Sequence, residues 1–224
     1  MTALILQGRL NSKRLPGKSL LPLGGEALIF RVMEALATIT CDKHILACPE
    51  SCMASFSPLA EKAGFELCSG PEDDVLKRYC IAIQRYGPDL IIRATADNPF
   101  VFCDAAAVLA EEAAILGADY AGYSGLPLGA GVEIIHADAL FRAEKDSTAI
   151  EEREHVCPYL YNNAGLFRLH RPLAPPKWCL TPFLRLTIDT PEDYSHAEIV
   201  YRRLSETSSG TERYLGTTIL EAAA

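Results

Sequence analysis

The chain has 224 residues, 49% of them hydrophobic and 22% charged, which is enough apolar material for one domain with a sizeable core. Its net charge of −8 argues against nucleic acid or an anionic membrane as the main partner. No apolar run is long enough to span a membrane, and the first residues resemble a core strand rather than a signal peptide. We therefore expect a cytoplasmic protein, whose eight scattered cysteines are reduced and bind no structural metal.

The first half of the chain alternates regularly between strands and helices. The apolar pattern predicts strands over 2–6, 43–47, 65–68 and 90–93, and helices over 26–39, 48–64, 73–86 and 104–116. Within these helices, Pro58 is a potential break and Asp104 a predicted N-cap. Strand–helix alternation with short links predicts βαβ units and a largely parallel sheet.

After about residue 120 the pattern becomes looser. We predict strands over 132–136, 165–170 and 184–188, helices over 138–145, 151–162 and 191–205, and a proline-rich loop over 171–182. Residues 1–205 are predicted to form a single domain. The C-terminal tail, 206–224, is either a final helix or partly disordered.

The loop that follows the first strand, from Gln7 to Lys18, is strongly basic. It carries four cations, which are Arg9, Lys13, Arg14 and Lys18. In open α/β sheets ligands bind beyond the carboxyl ends of the strands, where cations and free N–H groups suit a polyphosphate. A solvated surface loop is the simpler alternative. A Walker A loop is not expected, because Ser12 stands where its first glycine belongs and Pro16 lacks an N–H.

Two aspartates follow predicted strands. Asp97 lies in a turn after the strand at 90–93, and Asp189 follows the strand at 184–188. Each also has a structural explanation, since Asp97 can form an Asx turn and Asp189 can cap the next helix unless Thr190 does so. Two such aspartates can converge on one Mg²⁺ at the sheet edge, beside the basic loop.

Two further charged segments leave their roles open. Around Glu72 and Asp73, acids in a first helical turn with bases one turn later are ordinary helix design. The segment 151–156, which contains Glu154 and His155, is either the start of a surface helix or part of a catalytic site.

Taken together and in order, five segments resemble the cytidylyltransferase family that makes CMP-activated acidic sugars. Within it we name the spore-coat polysaccharide biosynthesis protein F group, the acylneuraminate cytidylyltransferases and the CMP-Kdo synthetases. The segments are Gln7 to Lys18, Gly70 to Tyr79, Arg93 to Pro99, Glu152 to Tyr159 and Leu186 to Tyr194. The similarity extends from Leu4 to about Tyr201, which is nearly the whole chain.

The resemblance implies a Rossmann-like, GT-A-like nucleotidyltransferase fold, with three α/β/α layers and a mostly parallel sheet. It further implies that a sugar hydroxyl attacks the α-phosphorus of CTP and releases pyrophosphate. Residues 120–170 would then form the substrate region and the interface of a homodimer.

The resemblance also implies roles for individual residues. Catalytic roles fall to Arg9, Lys18 and Asp97, and Mg²⁺ would be held by Asp97 and Asp189. Asp73 can alternatively be no more than a helix cap. The implied nucleotide-binding residues are Leu6, Gln7, Gly8, Arg9, Ser12, Arg14, Lys18, Gly70, Glu72 and Asp73. The implied acceptor residues are Glu133, Glu154 and His155.

The sequence departs from the family pattern at two notable positions. Asn11 replaces a glycine of the basic loop, although asparagine tolerates left-handed backbone angles. Gly131 replaces an aspartate that normally precedes Val-Glu, which removes a carboxylate from the sugar side. Two alternatives therefore stay open: a GT-A-like glycosyltransferase, although its Asp-x-Asp motif is missing, and a catalytically inactive nucleotide-binding relative.

Overall fold

The computed structural model describes residues 1–179, 181 and 183–224. The strands are β1 (Thr2–Gln7), β2 (Pro22–Leu23), β3 (Glu26–Ala27), β4 (Lys43–Pro49), β5 (Glu66–Gly70), β6 (Leu90–Thr95), β7 (Tyr120–Ala121), β8 (Glu133–His136) and β9 (Leu169–His170). The helices are α1 (Leu28–Leu36), α2 (Met53–Ala63), α3 (Val75–Tyr86), α4 (Cys103–Leu116), α5 (Ala137–Asp146), α6 (Ile150–His155), α7 (Pro158–Asn162), α8 (Pro191–Thr207) and α9 (Gly216–Ala223).

Seven of the described strands form one sheet, in the order β5-β4-β1-β6-β8-β7-β9. The β5, β4, β1 and β6 strands are mutually parallel, whereas β8 runs antiparallel to both of its neighbours. From β1 the chain goes first to β4 on one side and later to β6 on the other. The carboxyl ends of β1 and β6 therefore flank a topological switch point, the usual ligand crevice of such sheets.

Helices cover both faces of this sheet. Leu4 and Leu6 of β1 lie in the core with α1, α2, α4, α8 and α9, while Ala3 and Ile5 lie in a second core with α3, α5 and α7. Both sets are buried because β1 is central, and alternate residues of a strand face opposite sides. The predicted α/β fold with a mostly parallel sheet is confirmed.

Several predicted helices have different bounds. The helix predicted over 48–64 begins only at Met53, after a 3₁₀ turn, and continues through Pro58 without a break. The helix predicted over 151–162 is two helices, α6 and α7. Val156 interrupts it with a φ of 73°, and Pro158 then starts α7 at the position that proline tolerates.

Asp104 does not cap α4, contrary to the prediction. The helix begins one residue earlier, with Phe102 at the N-cap, and Asp104 lies in its first turn. The Asp104 carboxylate instead accepts hydrogen bonds from the indole of Trp178 at 3.0 Å and from the Gly216 N–H at 2.9 Å. Asp104 thus fastens the C-terminal segment to the domain.

The strand predicted over 184–188 does not join the sheet. The segment makes only an isolated bridge between Leu128 and Arg185, and the Ile188 N–H donates to the carbonyl oxygen of Asp97 at 2.9 Å. Leu186 and Ile188 are buried, because the segment is hydrogen-bonded to the loop after β6 and packs into the core. The strand predicted over 165–170 is reduced to β9, and the predicted loop over 171–182 contains a 3₁₀ turn at Pro176–Trp178. Positions 180 and 182 of that loop lie outside the described residues.

The C-terminal residues form a final helix, one of the two alternatives for this segment. A 3₁₀ turn at Gly210–Tyr214 leads into α9, whose Ile219 and Leu220 are buried in the same core as α8. None of the described helices combines the length and the apolar character that a membrane span requires.

Candidate active site

The basic loop lies at the carboxyl end of β1 and is fastened to itself by hydrogen bonds. The buried Ser19 hydroxyl donates to the Arg9 carbonyl oxygen at 2.9 Å, and the Gly17 N–H donates to that of Leu10 at 3.3 Å. Gly17 has a φ of 67°, a left-handed conformation that glycine adopts without strain. This turn directs Lys18 back toward the sheet, whereas Lys13 and Arg14 are exposed.

The ammonium group of Lys18 contacts two other segments of the chain, the loop after β6 and residues 188–189. Its Nζ lies 2.8 Å from Oδ2 of Asp97, 3.1 Å from Oδ1 of Asp189 and 2.7 Å from the carbonyl oxygen of Ile188. The Lys18 side chain is only 12% exposed. The three protons of the ammonium therefore each have an oxygen acceptor. We call these three oxygens the oxygen cage.

Asp189 is paired with two further cations. Arg14 Nη2 lies 2.9 Å from its Oδ1, and Arg185 Nη2 lies 3.1 Å from its Oδ2. Asp189 does not cap α8, because Thr190 does so in a capping box with Asp193. Its carboxylate is therefore available to side-chain cations. Arg185 was not among the predicted site residues, and its spacing of four residues from Asp189 is the one local feature of the sequence that points to this pair.

The oxygen cage fits a hard divalent cation. All of its members are oxygens, and all lie within 3.1 Å of one nitrogen, so they surround a single point. Mg²⁺ prefers oxygen ligands and is usually held by one or two carboxylates together with substrate phosphates and water. Among the described residues, no group of three or more His, Cys, Asp or Glu side chains forms a metal centre without such help.

The end of β1 provides a surface for a ligand beside the cage. Leu6 is fully buried, so only its backbone can face a ligand, whereas the buried Oε1 atom of Gln7 lacks a hydrogen-bond partner among the described residues. A Cβ on Gly8 would lie 2.9 Å from Cδ1 of Ile29, so glycine keeps this position open. The Ser12 hydroxyl accepts weakly from the Leu15 N–H at 3.4 Å.

The loop after β5 faces the basic loop. Asn11 Nδ2 donates to Oε1 of Glu72 at 2.5 Å, which joins the two loops. The backbone of Asn11 does not have a positive φ, so this position does not need the left-handed conformation of the glycine that it replaces. The loop runs from Gly70 to the N-cap of α3, which is Asp74, so Asp73 neither caps the helix, as the alternative had it, nor lies in its first turn. Asp73 is exposed in front of the helix.

A buried guanidinium supports this second loop from below. Arg78 is 1% exposed and donates to the carbonyl oxygen of Pro71 from Nε at 3.0 Å and to that of Glu72 from Nη2 at 2.9 Å. Burial lowers the pKa of Arg78 below its ordinary value. A Cβ on Gly70 would lie 2.9 Å from Cγ of Arg78, so glycine allows the close approach. Arg78 was not among the residues predicted to have a role.

Helix α6 is tied to both loops. Arg153 binds Oδ2 of Asp74 from Nε at 2.8 Å and from Nη2 at 2.5 Å, and Glu154 Oε1 lies 3.3 Å from Nη2 of Arg9. The predicted residue Glu154 therefore lies beside the basic loop. The His155 side chain is exposed and makes no hydrogen bond among the described residues.

Glu133 lies in a separate polar cluster on the sheet. Its carboxylate pairs with Arg93 of the neighbouring strand and accepts a hydrogen bond from the Tyr120 hydroxyl at 2.7 Å. Burial, reinforced by the Glu133 charge, raises the pKa of Tyr120 above its ordinary value, so the phenol remains a donor. The structure thus groups Lys18, Asp97 and Asp189 together but places Glu133 in its own ion pair.

A mostly parallel sheet covered on both faces, with cations and carboxylates gathered at its carboxyl edge, is typical of the α/β nucleotidyltransferase fold. A solved cytidylyltransferase from Leptospira borgpetersenii has this fold, with a TM-score of 0.88 at 24% identity over 98% of this chain and 92% of that one. A solved CMP:2-keto-3-deoxy-manno-octonic acid synthetase complexed with CTP has a TM-score of 0.67 at 15% identity, covering 88% of this chain and 96% of that one.

Sequence comparison identifies the family. The family model described as cytidylyltransferase matches residues 3–215, so the chain belongs to the cytidylyltransferase family. The spore coat polysaccharide biosynthesis protein SpsF of Bacillus subtilis is 35% identical over 211 residues, or 90% of this chain and 87% of that protein. The protein is thus a nucleotidyltransferase that uses CTP, and the family resemblance predicted from the sequence is confirmed.

Proposed function

We propose that this protein is a Mg²⁺-dependent cytidylyltransferase that transfers CMP from CTP to an acidic sugar or a related surface-polysaccharide precursor and releases pyrophosphate. The observation that carries the proposal is the convergence of Arg14 and Lys18 on Asp97 and Asp189 at the switch point of the sheet. The acceptor class is supported by relatives whose names refer to spore coat polysaccharide and to a CMP-activated keto sugar acid.

In the proposed reaction, the oxygen of an acceptor hydroxyl forms a bond to the α-phosphorus of CTP. The bond from that phosphorus to the pyrophosphate oxygen breaks, and the hydroxyl proton passes to solvent. Such a transfer needs positioning and charge stabilisation more than covalent participation by the protein. Asp97 and Asp189 would hold Mg²⁺, which would offset negative charge on the triphosphate.

The basic loop and the loop after β5 would bind the nucleotide. Arg9, Arg14 and Lys18 carry the positive charge for the triphosphate, and Ser12 supplies a hydroxyl. The nucleoside would contact the backbone at the end of β1, the side chain of Gln7 and the loop after β5. The residues proposed to make these nucleoside contacts are Leu6, Gln7, Gly8, Gly70, Glu72 and Asp73.

The acceptor would bind beside α6 and the polar cluster around Glu133. Glu154 and His155 lie on α6, which is joined to the basic loop through Arg9. Arg171, exposed and without an ion pair among the described residues, lies 5.5 Å from the ring centroid of Tyr161 and suits an anionic acceptor. We further propose that residues 120–170 form the interface of a homodimer, and that the protein is cytoplasmic.

A thermal-shift titration with CTP, UTP, GTP and ATP, each with Mg²⁺, tests the donor without knowledge of the acceptor. A ligand at 100 times its Kd stabilises the fold by roughly 2.7 kcal/mol, which is a measurable shift. We expect a shift selective for CTP. Pyrophosphate release is then measured with acidic sugars and with neutral sugars of the same ring size. Release with neutral sugars alone would contradict the proposed acceptor class.

The catalytic assignment predicts that Lys18→Ala and Asp97→Ala abolish turnover while the protein stays folded. The loss of one charge clamp removes roughly 2–4 kcal/mol of transition-state stabilisation, by analogy with the removal of an oxyanion-hole donor. Lys13→Ala is the matched control, because Lys13 is an exposed cation of the same loop without an ion pair among the described residues. Pyrophosphate release is the assay, and near-normal rates in either site variant would refute the assignment.

A further inference from the structure

The oxygen cage is already filled by a cation that belongs to the chain. The Lys18 ammonium has three protons, and three oxygens at 2.7 to 3.1 Å accept them. The ammonium therefore cannot donate to a phosphate unless it gives up at least one of these partners. In the free protein, Lys18 is committed to the acidic side of the site rather than to a nucleotide.

The centre of the oxygen cage also suits a divalent cation, because the oxygens around it belong to two carboxylates and a backbone carbonyl. A tethered ammonium and a free metal ion therefore compete for one place. In this structure the Lys18 ammonium occupies that place, and its side chain is largely buried. Arg14 and Arg185 add to this effect, since they also neutralise Asp189.

We propose that Lys18 is an internal counter-ion, which fills the metal site of the free protein and moves to the triphosphate when CTP binds. This inference rests on the proposed function, because it takes CTP and a divalent cation as the two ligands. CTP supplies the negative charge that attracts Lys18 and Arg14 away from the carboxylates. The cage is then open for a cation, so nucleotide and metal each strengthen the binding of the other.

Binding of Mn²⁺ alone to the full chain tests the proposal without turnover. The proteins are wild type, Lys18→Met, Lys18→Met/Asp97→Asn and the control Lys13→Met, which removes the same charge from the same loop. Free Mn²⁺ is measured by electron paramagnetic resonance at fixed ionic strength. We expect Lys18→Met to bind Mn²⁺ roughly tenfold or more tightly than wild type or Lys13→Met, within the usual range of coupling between sites. The double variant should lose this gain.

The outcomes separate the two proposals. CTP binds Mn²⁺ by itself, so the Mn²⁺ bound by the same CTP without protein is subtracted. The Mn²⁺ bound by wild type beyond that amount should increase on addition of CTP, and this arm tests the proposed donor and metal. If CTP promotes Mn²⁺ binding but a folded Lys18→Met does not bind Mn²⁺ better than wild type, the counter-ion proposal is wrong and the proposed function stands. Lys18→Gln is the second variant, in case methionine disturbs the loop. Wild type that binds Mn²⁺ alone as tightly as both variants also overturns the proposal.

Discussion

Replacement of Asp193 by asparagine should destabilise the segment that carries Asp189. Oδ1 of Asp193 accepts from Arg185 Nε at 3.0 Å, and Oδ2 accepts from the N–H groups of Asp189 and Thr190 at 3.0 Å each. Burial raises the pKa of Asp193, but Arg185 and the two N–H groups outweigh it and lower the pKa from 3.8 to about 2. Because the side chain is 12% exposed, this shift corresponds to roughly 2 kcal/mol of stability at pH 7.

The pH dependence of stability separates the contribution of the Asp193 charge from that of its hydrogen-bond geometry. The folded-state pKa lies below the unfolded one, so the stabilisation is complete above about pH 4 and disappears as the pH falls through about 2. The difference in unfolding free energy between wild type and Asp193→Asn should therefore be constant from pH 7 to pH 5. At pH 3 it should be about half as large.

Urea unfolding at pH 7, 5 and 3 measures this difference. Glu192→Gln is the matched control, since it removes a neighbouring exposed carboxylate from the same first turn of α8. The control should change stability by roughly 0.5 kcal/mol or less. A variant that is as stable as wild type at pH 7, or a difference that does not shrink at pH 3, would refute the reasoning.

Two further substitutions test the loops around the site. Arg78→Met removes the donors that hold the carbonyl oxygens of Pro71 and Glu72, so we expect CTP affinity to fall by roughly tenfold in calorimetry. The comparison is Lys77→Met, which removes a half-buried cation of the same helix that pairs with Glu144 and does not contact the loop carbonyls. Unchanged CTP affinity in a folded Arg78→Met would show that the loop does not depend on this support. Gly131→Asp should change stability by no more than about 0.5 kcal/mol, since the position is exposed and the one close contact of an added Cβ, at 3.2 Å, is with the end of the Leu126 side chain, which can shift by a few tenths of an ångström. A larger loss in thermal unfolding would contradict that expectation, and an acceptor screen of the variant shows whether the missing carboxylate affects sugar choice.

The convergence of Lys18, Asp97 and Asp189 was predicted from the sequence, but only part of the reason holds. The loops that carry Lys18 and Asp97 follow β1 and β6, whose parallel pairing follows from strand–helix alternation. Asp189 reaches the same place although the strand predicted before it does not join the sheet. The pairing of Arg9 with Glu154 was out of reach, because it joins positions 145 residues apart and depends on where α6 packs. The Arg93–Glu133 pair required knowledge that β8 lies antiparallel to β6.

The wrong predictions arise where tertiary contacts replace a regular pattern. Residues 184–188 have the apolar content of a buried strand, but their N–H groups bond to the loops at Leu128 and Asp97 instead of a sheet neighbour. The break between α6 and α7 depends on the positive φ of Val156, an uncommon conformation for a β-branched residue that no sequence rule indicates.

The acids and the cations of the site are held in different ways, which bears on the proposed exchange. The backbone of Ile188 donates to the carbonyl oxygen of Asp97 at 2.9 Å, so the segments that carry the two aspartates are joined through the main chain. Arg14 and Lys18, in contrast, reach the carboxylates through long side chains from a turn. Because the carboxylates are joined through the backbone and the cations are carried on long side chains, the positive groups can move to a triphosphate by a change of side-chain rotamer while the cage keeps its shape. If both sets were rigid, CTP binding would have to distort the backbone, and Arg14 and Lys18 could not exchange partners.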